Sequence, residues 1–475
     1  VSADSGGAPE GSWREIFFGR YVVHTLVLNL GMTLFAINQF VVATLMPTVV
    51  ADLGGVDLYT WAFSLFAVGA IIGSASAGPL RDALGTRLAF AGAGLVLGAG
   101  LAGAALAPDM PTFVLFRLIQ GIGGGAVASQ GYGLVAVVYP PELRSRALGV
   151  ISTVWGIATA IGPGFGGAFA NPAAWPWAFW TLVPFAVAFA ALAWRHGDAA
   201  RGHGKLGEIP YVRLGLLALA ILVMSAPSLA LPNWARGGLI ACALALVALT
   251  FAQDARAPRR MFPRRIAAVA TEFGAMYAVI LLVSIVLAFI NTYTTFFLQV
   301  LHGVDPFTAG YLFAVQSFMW TVGALIVAGG RAALERPFIV FGLAMLLAAS
   351  GAIALIVDRG SVVAIAAALA VSGTGIGFMN NPTTQRVMAL ASEAERHAAG
   401  ASVQSIRNIG VSFGAAFAGM VAAVAGLADG ADRETIAHAM RWVYAVNAAF
   451  AALPLLLVLA IAAAWWSKRG SASPE

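Results

Sequence analysis

Long apolar stretches alternate with short polar breaks along this chain, and each stretch is close to the ~20 residues a helix needs to cross a bilayer. Reading from break to break gives spans near 21–50, 58–80, 88–107, 112–139, 146–170 and 177–194. Two more lie near 211–231 and 235–253, and six near 267–299, 306–330, 337–357, 361–385, 398–427 and 441–466. The pattern predicts an all-α integral membrane protein of fourteen transmembrane helices. Its first run, Tyr21 to Val50, exceeds the ~7–15 residues of a signal-peptide core and reads as a retained span.

The placement of charge orients these spans. Of the 27 Lys and Arg residues, 21 fall in one set of alternate loops, and four (Arg236, Arg359, Arg433, Arg441) in the other. Arg117 and Arg407 remain, inside spans. Basic loops stay on the cytoplasmic side, so both termini are expected there, in a plasma (inner) membrane. One missed span would scramble the alternation. The same distribution accounts for the net charge of +6 without a nucleic-acid partner. Composition agrees: 60% of residues are hydrophobic and 10% charged, where soluble domains carry roughly 25% charged. A lone Cys242 rules out an internal disulfide or a cysteine metal cluster.

An internal repeat organises the spans. GVDLYTWAFSLFAV (55–68) is similar to GVDPFTAGYLFAV (303–315), each leading into a span that runs inward. Spans 1–6 and 9–14 then correspond as two halves, with spans 7 and 8 inserted between them. The implied division is a cytoplasmic N-terminus (1–20), a six-helix bundle (21–194), a linker with two extra helices (195–265), a second bundle (266–466) and a tail (467–475).

The loop after span 2 reads GPLRDALGTR, in which Asp82 can pair with a base on a neighbouring helix and latch one conformation. Taken alone it is also an ordinary basic turn. With Gly78, Leu80, Asp82, Gly85 and Arg87 in place, it resembles the signature loop of the major facilitator superfamily. The second-half counterpart, AGGRAALERP (328–337), lacks the aspartate, so any latch there differs. Span 4 carries FRLIQG, with Arg117 and Gln120 one turn apart on one face. It resembles the family's Arg-x-x-Gln-Gly motif, often linked to proton coupling. A structural hydrogen-bond hub explains the pair equally well. A charge in hydrocarbon costs roughly 2.5–3.5 kcal/mol, so Arg117 must face a cavity or a partner.

Span 5 carries GIATAIGPGFGG, whose Gly162, Pro163, Gly166 and Gly167 resemble the exporter signature of this superfamily, with Ala158 where a glycine is expected. The bland reading is a kinked packing helix. In spans 12 and 13, GTGIGFMNNPTTQR and ASVQSIRNIG resemble the fourteen-helix drug:proton antiporter branch. Span 1 resembles that branch's first helix, except that Asn38 stands where the branch has an aspartate. Asn does not titrate, so a proton site or counter-ion is missing there.

The resemblance implies two six-helix bundles rocking about a midplane site. Asn38, Gln39, Trp155, Asn291, Gln316, Trp320, Asn380, Asn381 and Arg407 are the candidates to contact substrate. Interhelical hydrogen bonding and packing remain the alternative for each. Arg117, Gln120 and Glu272 are the candidates for proton coupling, although an acid at a helix start is favoured by the dipole anyway. The function implied is export of a hydrophobic or amphiphilic small molecule, linked to protons. Arg117 and Arg407 make the deep spans net positive, which keeps open a carrier of anionic amphiphiles or lipids, or an uncoupled facilitator. A membrane-embedded lipid enzyme is disfavoured, because the six histidines sit mostly in loops and none has HExxH spacing. No cofactor or metal is called for.

Overall fold

The structure, a computed structural model, describes residues 13–197, 209–229, 231–257, 260–328, 334–392 and 396–470. The linker at 198–208, the loop residues 329–333 and the extreme termini lie outside the described residues. Sixteen α-helices are described: α1 (Trp13–Phe17), α2 (Val22–Leu53), α3 (Trp61–Leu84), α4 (Thr86–Ala105), α5 (Met110–Val138), α6 (Pro141–Ala168), α7 (Trp175–Trp180), α8 (Val183–His196), α9 (Tyr211–Ser225), α10 (Asn233–Arg256), α11 (Glu272–Val300), α12 (Pro306–Val327), α13 (Glu335–Ile356), α14 (Val362–Leu390), α15 (Arg396–Val424) and α16 (Arg433–Gly470). Among the described residues fourteen stretches are long and apolar enough to cross a membrane, with α7 and α8 together forming one of them. Pro184 stands in the first turn of α8, where it breaks that span without costing an interior hydrogen bond.

Local chemistry sets the helix starts. Asp109 and Asp305 accept N–H bonds from Thr112 (2.8 Å) and Thr308 (2.9 Å), each with proline in the first turn, and so cap α5 and α12. Hydrogen bonding from the Thr112 and Thr308 side chains, together with these backbone bonds, holds both loop carboxyls below their ordinary pKa. The repeat is visible in the backbone, since Gly55 and Gly303 both take positive φ (75° and 64°) as the chain turns into the second and tenth spans.

Within each half, one helix pair is brought together by glycines. A Cβ on Gly69 of α3 would stand 2.9 Å from the Cα of Gly121 on α5. In the second half, a Cβ on Gly323 of α12 would stand 3.2 Å from the Cα of Gly377 on α14. Without a hydrophobic drive between helices in lipid, such close backbone approach supplies the packing. Around these pairs α2 packs on α5 and α6, and α4 on α5 and α8. In the second half α11 packs on α15 and α16, and α13 on α14 and α16.

The inserted helices have a defined seat. α9 packs on α10 and also on α3 and α15, one helix from each half. At the Arg236-bearing end, the Trp61 indole donates to the Ser228 hydroxyl (2.8 Å), which reaches the Asp57 carbonyl (3.1 Å). At the other end Asp254, 3% exposed, pairs with Arg213 and accepts the backbone N–H of Met261 (2.8 Å) and Phe262 (3.0 Å). Asp254→Ala should therefore cost about 3–5 kcal/mol, because a half-buried arginine and two backbone amides lose their partner together. Thermal unfolding in detergent checks this; a melting temperature equal to wild type contradicts it.

Candidate functional site

The two halves meet along two seams toward the arginine-poor end. In the first, Gly162 and Gly166 of α6 lie against Phe40, Val41 and Thr44 of α2, while Pro163, Gly164 and Gly167 face Gly310, Tyr311 and Phe307 of α12. The Tyr311 hydroxyl donates to the Ala160 carbonyl across this seam (2.9 Å). The kinked span and its glycines thus form a half-to-half contact as well as an internal one. In the second seam, Thr60 of the first half packs on Gly419 of α15. Tyr59 stacks on Tyr293 (5.5 Å, 12° between planes) and meets Phe296 edge-on (5.2 Å). Between the seams Thr295 donates to the Ala43 carbonyl (2.5 Å) and Gln299 to the Thr44 carbonyl (3.1 Å). The Asp429 carboxylate accepts the N–H groups of Gly55 (3.0 Å) and Val56 (2.9 Å), tying a loop of one half to a loop of the other.

Arg407 lies eleven residues into α15, ~16 Å from its start at 1.5 Å per residue. Its guanidinium donates to Asn380 Oδ1 (2.6 Å) and Thr384 Oγ1 (3.1 Å) of α14. Asn380 contacts Asn381 (3.4 Å), which is exposed, and Gln404 donates to Asn408 (3.0 Å) beside it. In the first half Gln39 is exposed, and Trp155 packs edge-on against Phe35 (6.2 Å). Asn291 and Trp320 are half-buried. Gln316 stands apart from this group, buried between α12 and α14 and donating to Ser372 (2.9 Å).

Arg117 is 1% exposed and sits over the Phe66 ring (4.3 Å). It donates to the Ala62 carbonyl (3.1 Å) and to Gln120 Oε1 (2.5 Å), and Gln120 donates on to the Gly100 carbonyl (3.0 Å). The pair knits α3, α4 and α5 together. Among the described residues no carboxylate lies within ion-pair distance of it. Asn38 belongs to the same layer. Gly31 meets Val127 and Phe35 faces Gly124, so the stripe 31, 35, 38 of α2 climbs α5 to the level of Gln120 and Gly121. Asn38 is 1% exposed, and neither of its polar atoms has a hydrogen-bond partner.

Glu272 opens α11 at the arginine-rich end, where it accepts from Arg336 of α13 (3.0 Å) and Arg386 of α14 (2.8 Å). In the loop signature, Gly78 has open space around it, and Gly85 takes φ 85° to turn α3 into α4. Asp82 pairs with the adjacent Arg81 (3.1 Å), and Arg87 stacks over Trp194 (4.4 Å).

A profile of the Major Facilitator Superfamily matches residues 28–415. The chain belongs to the Major Facilitator Superfamily. It is a multi-pass membrane transporter rather than an enzyme, similar over most of its length to multidrug-efflux proteins. It is 32% identical over 432 residues to a probable multidrug-efflux transporter of Mycobacterium tuberculosis, covering 86% of this chain and 89% of that one. It is 25% identical over 420 residues to the multidrug transporter protein MdtP of Bacillus subtilis, covering 85% and 76%. Solved structures share the fold at low identity. One is a bacterial homolog of the human lysosomal transporter Spinster, inward-facing and unoccupied (TM-score 0.67, 15% identity, 95% and 98% covered). Another is the inward-open xylose transporter XylE of E. coli (0.61, 15%, 92% and 95%).

Several residues of this superfamily member escape the motif reading. Asp429, Thr295 and Gln299 join the halves, yet none belongs to a quoted motif, and Tyr311 lies in the repeat without a role read for it. One signal was available: FGGAFA (165–170) in α6 is repeated as FGAAFA (413–418) in α15, marking both seam helices.

Proposed function

We propose that this transporter exports neutral or anionic amphiphilic small molecules across the plasma membrane by alternating access. On this reading the arginine-rich end and both termini are cytoplasmic, and the central cavity opens toward them. The observation that carries it is the asymmetry of contacts. Seams and hydrogen bonds between the halves gather toward the arginine-poor end, while Arg407, Asn380 and Asn381 lie on the other side of them. Charge supports the cargo class. Among the described residues every carboxylate sits in a loop or within four residues of a helix end, whereas Arg117 and Arg407 are deep. A cationic drug would find no counter-ion at that depth, where an isolated charge is expensive. An anionic head group would find Arg407, and the amides of Asn381 and Gln39 would serve neutral cargo. The multidrug-efflux relatives support the outward direction.

Proton linkage, where it operates, is assigned to Glu272. Protonating its carboxylate removes ion pairs to α13 and α14 at once and frees the start of α11. Arg117 and Gln120 do not exchange a proton in this scheme. They hold α3, α4 and α5 as one rigid unit that moves with the first half.

Proteoliposomes test the proposal. A carboxylate-bearing fluorescent amphiphile should be moved faster than ethidium, and Arg407→Gln should slow the anion by about tenfold, the effect of losing one charge-assisted hydrogen bond. Glu272→Gln should remove the dependence on a pH gradient while leaving downhill flux. Preference for ethidium contradicts the cargo class. A pH-gradient response intact in Glu272→Gln contradicts the proton assignment.

A further inference from the structure

The first half contains a second cavity, of about 270 Å³, whose lining includes neither the seam residues nor Arg407. It lies at the arginine-rich ends of α2, α4, α5 and α8. Its walls divide by chemistry. Val27, Phe90 and Leu192 make an apolar side, while His24, His196 and Thr86 bring polar groups from three helices. Among the described residues no acidic side chain lines it. The surroundings add positive character. Thr86 opens α4, whose capping Gly85 offers no side-chain acceptor to the first N–H groups, and Arg87 follows, stacked on Trp194. His24 Nδ1 is shielded from solvent and has no hydrogen-bond partner.

An apolar pocket with donors gathered on one side suits an amphiphile, and the cationic surroundings suit an anionic head. Its position at helix ends, level with a membrane surface, suits a ligand that arrives from the bilayer. We infer that this cavity binds a single-chain lipid with an anionic head group, its head on His24, His196 and Thr86 and the first part of its chain against Val27, Phe90 and Leu192. The volume is below that of a drug-sized pocket, so only the head and the adjoining chain enter, the remainder staying in the lipid. Occupancy braces α2, α4 and α8 against one another, which makes this a regulatory site on the first half. It stands whether or not the transported cargo is anionic.

Laurate, dodecanol and inorganic phosphate are the probes, with the purified full-length protein in neutral detergent. Laurate should raise the melting temperature, while dodecanol and inorganic phosphate should not. His24→Leu with His196→Leu should abolish the laurate shift, and Arg407→Gln should keep it. Brominated laurate reads location independently: it should quench the wild-type tryptophan fluorescence, and Trp194→Phe should remove most of that quenching. Should the double variant fold poorly, His24→Leu alone should weaken laurate binding by about tenfold, the loss of one hydrogen bond to the carboxylate. Equal shifts with dodecanol or inorganic phosphate overturn the proposal. So does a laurate shift that survives both histidine changes, or one that Arg407→Gln removes, which would put the ligand in the transport cavity.

Discussion

Gly167→Leu is expected to slow transport strongly while leaving the protein folded. A Cβ at Gly167 would stand 2.8 Å from the Phe307 Cβ and 2.9 Å from its backbone nitrogen, so a leucine cannot enter the closed seam between α6 and α12. Overpacking of this kind costs about 1–3 kcal/mol. The cost falls on the closed form of the arginine-poor end alone, because the seam parts when that end opens. A bias of this size shifts the two forms by roughly 5- to 150-fold, and a carrier that must visit both slows accordingly. Gly419→Leu should act in the same direction at the other seam, where Thr60 Cβ lies 2.8 Å from the position of the new carbon. Two readouts are needed, dye flux in proteoliposomes and thiol labelling at Thr295→Cys in a Cys242→Ser background. Thr295 is fully buried against Ala43, so its cysteine should label slowly in the parent and quickly in the Gly167→Leu variant. Wild-type flux, or labelling as slow as in the parent, would contradict the seam's role as the closing contact.

The second large effect is expected from Asn38→Asp. Asn38 is level with the Arg117–Gln120 hub on the facing helix, is buried, and leaves both polar atoms unsatisfied. A carboxylate is nearly the same size and would place a negative charge in the layer that holds Arg117. Opposite charges in contact at low dielectric hold each other ionised, so a side-chain movement that brings the new carboxylate to Arg117 gives the aspartate a partner where the asparagine has none. When protonated, it releases that partner. Efflux of ethidium should rise about fivefold or more and acquire a dependence on the pH gradient, the gain of roughly one kcal/mol that a deep counter-ion brings. Transport of an anionic amphiphile should fall. Unchanged ethidium efflux at every pH gradient would show that position 38 does not govern cation selectivity. A marked loss of thermal stability would show that the new carboxylate does not reach Arg117.

Much of this was legible in the linear chain, for definite reasons. Hydrocarbon demands unbroken apolar stretches, so the fourteen spans follow from hydropathy alone. The Lys/Arg alternation then reads as one orderly register. The GVD repeat announced two similar halves, and both of its glycines adopt the same left-handed turn. The loop signature and the Gly-Pro-x-x-Gly-Gly stretch pointed to the family on residue identity alone. What those glycines do was not readable. Gly162 and Gly166 press on α2 within their own half, while Gly164 and Gly167 press on α12 of the other. Neighbours on one helix take opposite partners, and only packing reveals which.

The candidate site divides in the same way. Arg407, Asn380 and Asn381 form one connected group across α14 and α15. Gln316 has the same residue chemistry and a similar depth, yet it turns into the α12–α14 interface to bond Ser372. Helical phase relative to a neighbour decides between these fates, and a single chain carries that phase without naming the neighbour. Asp429 and Tyr311 are further cases. A loop aspartate and a span tyrosine look ordinary until the fold sets them against backbone atoms more than 150 residues away. The sequence by itself determined the solvent, the number of spans, the twofold plan and the absence of a deep acid, since each depends on residue type and order along one helix. Only the tertiary structure decided which end is sealed, which residues seal it, and that a second cavity exists beside the histidines, because each depends on contacts between helices distant in the chain.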